Sequence, residues 1–238
     1  MALDQTGNSA GNLVVAARGW RHPAWQGEYY PPDLPEDWRL SYYSNEFRAV
    51  VVPADYWPTV DEAEVERWIE DTDEEFQFFL EVADLRTGWA DFAALLTPLA
   101  EQIGGVLLRP PHCDTDLAQL ELSLRRAQLL GPVAVILPPG LVPSDSGRRL
   151  LEEHGIGAPW PAGEGKPGWT PAPLALAHTS QTRRTPRQWR AVVEDCLSFG
   201  VDSDTVLLML EGEAPDIEAL RVTTMIADML TSAAEGRC

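Results

Sequence analysis

The sequence predicts an α/β fold, a single (β/α)8 TIM-type barrel whose sixth helix is replaced by a Pro/Gly-rich loop. Three observations carry this reading. Short apolar runs recur along the chain, each followed by a turn and then, usually, by a helix-spaced pattern; eight such runs can be placed; and 238 residues match the ~250 that this architecture typically takes. Runs that are apolar on both faces read as parallel strands, because crossover helices cover both sides of such a sheet.

The first run, 13–17, leads into Arg18-Gly19-Trp20 and a long aromatic, proline-rich loop. Pro35 opens a helix over 36–47, and the second strand follows at 49–52. Asp61 and Glu64 stand three apart, the spacing of a capping box, at the start of a helix over 61–71. A third strand at 76–82 and a helix at 91–103 follow, then a fourth strand at 105–108. The helix at 116–130 sets Leu117, Leu120, Leu124 and Ala127 on one face. The fifth strand, 133–137, precedes a short helix at 145–154 that Gly155 stops, and a weak sixth strand lies near 156–160. Residues 160–173 hold four prolines and three glycines, so the sixth crossover reads as a loop. A seventh strand at 173–178, a helix from Thr185-Pro186 to Phe199, an eighth strand at 205–210 and a last helix over 215–230 complete the pattern. An open doubly wound sheet would place a glycine-rich phosphate loop after the first strand, and Ala17-Arg18-Gly19-Trp20 is not one. The domain is expected at 13–232, between a disordered tail at 1–12 and a short tail at 233–238.

Charge and cysteine usage narrow the function classes. The formal charge is −19, with Lys166 the sole lysine, so phosphate backbones and anionic lipid are repelled at long range. The densest basic stretch, Arg183-Arg184-Thr185-Pro186-Arg187 with Arg190, reads as the solvated first turn of a helix. Cys113, Cys196 and Cys238 form no Cys-x-x-Cys pair, which indicates neither a disulfide framework nor a cysteine zinc site. Residues 1–12 lack a signal peptide's basic and apolar regions, and no apolar run approaches the ~20 residues of a bilayer span. The expectation is a cytoplasmic protein with no nucleic-acid or membrane partner, its oligomeric state left open.

Gly19-Trp20, Trp25-Gln26-Gly27-Glu28-Tyr29-Tyr30-Pro31, Leu34-Pro35, Tyr42-Tyr43, Phe47, Asp55-Tyr56-Trp57 and Val65-Glu66-Arg67-Trp68 recur in an order and spacing that resembles the domain-of-unknown-function 72 family, the YecE-like proteins. Arg109-Pro110-Pro111, Leu176-Ala177-His178 and the strand at 206–210 extend the likeness more faintly across 13–232. The resemblance implies a TIM-type barrel and no settled activity. It also exposes departures. Where family members read Glu-Ile-Asn in the second strand, this chain has Val51-Val52-Pro53, and the lysine of the third strand is Glu81. The Glu-Phe-Arg-His of the fifth strand is matched by Ile136-Leu137-Pro138-Pro139, an arginine of the seventh by Leu176, and the Asn-Asn-Asp ending of the eighth by Glu211-Gly212-Glu213; His178 is kept. These replacements predict a divergent member whose barrel mouth has lost most of its charged groups.

In such a barrel the site forms at the C-terminal ends of the strands. The residues that can gather there are Arg18, Trp20, Asp55, Tyr56, Trp57, Glu81, Asp84, Arg109, His112, His178, Glu211 and Glu213. The candidate catalytic groups are His178, oriented by Glu211, with Glu81 and Asp55. Candidate ligand contacts are Arg18, Trp20, Trp25, Tyr56, Trp57 and Arg109; the aromatic members either stack on a ligand or anchor the long first loop. Alternation turns Glu81 inward, where it needs a cationic partner, and Arg18 or Arg109 can supply it. No His-x-His, His-Glu-x-x-His or spaced carboxylate pair is present, so neither a metal nor a cofactor is expected. Cys196 reads as core and Ser144 as a helix cap, while His22 and His154 read as exposed. The function expected is a noncatalytic or weakly catalytic small-molecule-binding protein with an aromatic-lined mouth; the alternative is a metal-assisted hydrolase of a small phosphate or sugar substrate.

Overall fold

A computed structural model describes residues 12–83, 85, 87–110, 116–137, 144–165, 172–200 and 203–235. Eight strands form one sheet: β1 (Asn12–Arg18), β2 (Ala49–Val52), β3 (Gln77–Val82), β4 (Ile103–Leu108), β5 (Val133–Val135), β6 (Trp160–Pro161), β7 (Leu174–Thr179) and β8 (Thr205–Leu210). Their order is β5-β4-β3-β2-β1-β8-β7-β6, and every neighbouring pair is parallel. The helices are α1 (Arg39–Ser44), α2 (Glu62–Glu70), α3 (Trp89–Leu96), α4 (Leu117–Gln128), α5 (Asp145–Glu153), α6 (Pro186–Phe199) and α7 (Ile217–Glu235).

Strand alternation sorts the apolar side chains into layers. Ala16, Val51, Phe79, Leu107, Ile136, Leu176 and Met209 belong to a cluster on the concave side of the sheet. Their alternates, among them Ala17, Val50, Phe78, Leu80, Ala177 and Leu208, face outward and pack with Leu40, Val65, Trp68, Val193 and Leu220 of the helices. The sheet is curled. Strands β4 and β7 lie far apart in strand order, yet a Cβ placed on Gly105 of β4 would fall 2.7 Å from Leu174 Cδ2 of β7. Only a sheet bent round on itself brings those faces together. Among the described residues no ladder joins the two edges, β5 and β6. In the crossover from β6 to β7 the described residues form no helix; 166–171 lie outside the description.

Several boundaries differ from the sequence expectation for local reasons. The helix expected over 36–47 is a 3-10 turn, Glu36–Trp38, followed by α1. The one expected over 91–103 is α3 followed by a 3-10 stretch, Thr97–Gln102, in which Pro98 withholds the N–H that would continue the α ladder. The sixth strand is Trp160–Pro161 rather than 156–160, β1 begins at Asn12 within the expected tail, and α7 runs on to Glu235. Only half of the capping box at α2 forms. Asp61 accepts from Glu64 N at 2.9 Å, but the Glu64 carboxylate turns to Arg21, Arg67 and the Trp68 indole. Two guanidiniums outbid one backbone N–H. A complete box, Thr185 with Gln188, starts α6. Among the described residues no helix is long and apolar enough to cross a membrane.

The close approach at Gly105 gives a stability prediction. Gly105→Ala forces a methyl against Leu174 and to 2.9 Å from the Pro132 carbonyl, and should destabilise by roughly 1–3 kcal/mol, the range for overpacking a filled core. Gly131→Ala, whose nearest neighbour would be 3.6 Å away, should leave the urea midpoint almost unmoved.

Candidate functional site at the open end of the sheet

The inward parity that fills the concave core with apolar side chains continues to the C-terminal ends of the strands, where the residue type changes. Two positions beyond Ala16, Phe79, Leu107, Leu176 and Met209 stand Arg18, Glu81, Arg109, His178 and Glu211. The ladder holds the last of these in register: Arg109 N donates to Val82 O at 2.8 Å and Glu211 N to Thr179 O at 2.9 Å. Five residues from β1, β3, β7 and the ends of β4 and β8 therefore meet at one mouth by alternation alone.

They meet as alternating charges. Arg18 makes a two-pronged contact with Glu81, Nε to Oε2 at 2.7 Å and Nη2 to Oε1 at 2.8 Å. Arg109 bridges the two carboxylates, its Nε 3.2 Å from Glu81 Oε2 and its Nη2 donating to Glu211 Oε2 at 3.2 Å. His178 Nδ1 lies 2.7 Å from Glu211 Oε1. A carboxylate only accepts, so Nδ1 of the imidazole carries a proton in this contact. Glu81 is 2% exposed, whereas Arg18 and Arg109 reach solvent at 26% and 33%.

Burial pushes the Glu81 carboxyl up, but the hydrogen bond and charge of Arg18 together with the charge of Arg109 outweigh it and hold the group below the usual carboxylate range. The hydrogen bond from His178, then the charges of His178 and Arg109, hold Glu211 low against its own desolvation. Glu81 in turn raises Arg18. The rim is tied down as well. The Trp57 indole donates to Glu81 O at 2.7 Å, and His22 sits half-buried with its ring nitrogens 2.9 Å from the carbonyls of Arg18 and Glu213, contrary to the exposed placement expected of it. Gly19 makes the turn out of β1 at φ +86°, in a spot where a Cβ would stand 3.0 Å from the Tyr56 hydroxyl.

The sequence-predicted residues divide clearly. His178, Glu211, Glu81, Arg18 and Arg109 converge; Asp55 stays 76% exposed, 3.6 Å from Arg18 Nη2. Tyr56 and Trp57 are half-buried at the rim. Trp20 and Trp25 are 1% and 4% exposed. Trp20 packs edge-on against Tyr56 and Trp68, and Trp25 stacks on Tyr43 while its indole donates to Pro215 O at 2.9 Å. Those two rings anchor the first loop, one of the two roles left open by the sequence. Asp84 and His112 lie outside the described residues. The mouth is not depleted of charge. Read singly, Glu81 is a reversal; read with Arg18 and Arg109 on either side, it is the centre of a rearranged ionic cluster. What sequence reasoning missed is the Arg109 bridge between Glu81 and Glu211, and the shared inward parity of all five positions was the signal for it.

Other candidates fall away from the mouth. Ser144 caps α5 through Gly147 N, and Cys196 is fully buried with its thiol pushed up to about 12 by desolvation. Among the described residues no group of three or more His, Cys, Asp or Glu side chains is arranged to hold a metal ion.

Comparison with known proteins agrees with the fold. A family model described as "Protein of unknown function DUF72" matches residues 14–154. A DUF72 family protein from Thermotoga maritima superposes with a TM-score of 0.66 at 17% identity, covering 90% of this chain and 99% of its own. One from Enterococcus faecalis gives 0.63 at 13% identity, covering 91% and 95%. The D-psicose 3-epimerase of Clostridium cellulolyticum, solved with D-tagatose, gives 0.53 at 10% identity, covering 91% and 97%, a likeness of fold. No curated protein matches the chain.

The ionic cluster predicts an acid-sensitive stability. Both carboxyls are lowered in the folded state, so their contribution is complete above the unfolded carboxylate range of about pH 4–5 and is lost as pH falls through their folded-state values. Glu81→Leu should cost roughly 2–4 kcal/mol at pH 7, somewhat less than the ~3–5 kcal/mol for breaking a fully buried pair because both arginines reach water. It should also flatten the acid limb of the stability profile measured by urea denaturation.

Proposed function

This chain belongs to the DUF72 family, whose description assigns no activity, and we propose that its mouth is a small-molecule-binding site with little or no catalytic power. In this reading the curled sheet is a single closed (β/α)8 barrel in which the loop between β6 and β7 stands in for the sixth helix. The protein works in the cytoplasm, without nucleic-acid or membrane partners.

The observation that supports binding is the convergence of Arg18, Glu81, Arg109, Glu211 and His178 at the end of the sheet where such folds hold ligands, with half-buried Tyr56 and Trp57 beside them. The groups are rigidly oriented by one another, which reduces the ordering cost of binding. The same cross-links argue against strong catalysis. Glu211, the group that would support His178 as a base, already shares its charge with Arg109.

The competing reading, a metal-assisted hydrolase acting through Asp55, Glu81, His178 and Glu211, is favoured by one feature, the His178–Glu211 pair. Its difficulty is electrostatic. A metal ion at ~4 Å from one guanidinium meets a repulsion of about 4 kcal/mol per unit charge at an effective dielectric of ~20, doubled for a divalent ion, and here two guanidiniums hold the carboxylates it would need.

Two measurements test the reading. Nuclear magnetic resonance with a library of small metabolites should shift the His178 imidazole and Trp57 indole signals together and saturably. Elemental analysis of the purified protein should find metal well below one equivalent. Stoichiometric zinc or manganese that disappears in His178→Ala, with hydrolysis that depends on it, would replace binding by the enzyme reading.

A further inference from the structure

The hydrogen-bonding inventory of the mouth is lopsided. Glu81 accepts from Arg18 at both oxygens, and Glu211 accepts from His178 at one oxygen and from Arg109 at the other. Every carboxylate oxygen in the cluster is engaged. The donors are not exhausted. A guanidinium carries five N–H groups. Arg18 spends Nε and Nη2 on Glu81, while Arg109 spends Nη2 on Glu211 and turns Nε toward Glu81. Among the described residues the Nη1 group of each arginine has no partner, and both side chains are partly open to solvent while the carboxylate that orients them is not.

From this imbalance we propose that the mouth takes an oxyanion, a carboxylate or phosphate group of a small metabolite, gripped by the free edges of Arg18 and Arg109 beside His178. This deepens the small-molecule reading above and rests on it. Glu81 acts as a positioning residue: buried behind the two guanidiniums, it fixes their planes without facing the opening. Planar forks held in this way suit the two-oxygen geometry of carboxylate and phosphate.

Asp55 gives the proposal a second, independent handle. Its carboxylate lies 3.6 Å from Arg18 Nη2 and is 76% exposed, so the guanidinium does not hold it closely. An exposed pair of this kind contributes about 0–1 kcal/mol and is readily exchanged. Asp55 is therefore a weak internal competitor for the edge that an incoming oxyanion uses.

The test is titration of the full chain with inorganic phosphate, L-lactate and, as a neutral control, glycerol. It follows the His178 imidazole resonance, assigned by its loss in His178→Gln, and heat by calorimetry. Phosphate or lactate should bind saturably while glycerol does not, and whichever of the two binds identifies the source of the oxyanion. Asp55→Asn, a surface change, should tighten that binding about 1.4- to fivefold, the exchange of a 0.2–1 kcal/mol pair. Arg109→Lys keeps the charge against Glu81 and Glu211 but loses the fork, and should weaken it about tenfold. Saturable binding of glycerol without either anion would overturn the oxyanion assignment while leaving a binding site. Silence from all three probes and from the metabolite library would overturn both. Anion binding unchanged in both variants would place the anion elsewhere and end the proposal.

Discussion

A carboxylate that is 2% exposed at the end of a sheet strand persists only if cations come to it. Glu81 meets this condition through the two-pronged contact with Arg18 and the flanking charge of Arg109. Because Arg109 also reaches Glu211, and Glu211 orients His178, one buried negative charge organises the ends of five strands. The rest of the mouth follows from it. The Trp57 indole closes on the Glu81 carbonyl, and the first loop is anchored by Trp20, which packs edge-on against Tyr56 and Trp68.

The cluster also shows how a local field departs from a global one. A chain of formal charge −19 would be expected to present acidity everywhere. At the mouth Glu81 and Glu211 are engaged by cations, and both guanidiniums reach solvent. Long-range repulsion of extended polyanions and short-range attraction for a single small oxyanion are compatible, because the first is set by the whole surface and the second by hydrogen-bond donors within ~3 Å.

Cross-linking of this kind trades reactivity for order. In a working general base the carboxylate behind the imidazole is free to stabilise the charge that develops there. Here Arg109 takes up part of that capacity at Glu211. The geometry is that of side chains whose orientations are fixed by one another.

The sequence alone determined the parallel α/β order, because residues such as Val50-Val51-Val52 and Val206-Leu207-Leu208 are apolar on both faces and turn or helix signals separate the runs. It also raised the expectation that Glu81 points inward and pairs with an arginine, since alternation along β3 sets it on one face with Phe79. Tertiary structure decided which cation answers and what that does to the mouth. The bridging position of Arg109, 28 residues from Glu81 and 102 from Glu211, depends on how far the sheet curls, and no local pattern encodes a curl. The anchoring of Trp20 and Trp25 likewise depends on rings from Tyr43, Tyr56 and Trp68, which the sequence separates and the fold brings together. Alternation is a property of neighbours in the chain, whereas charge compensation is a property of neighbours in space.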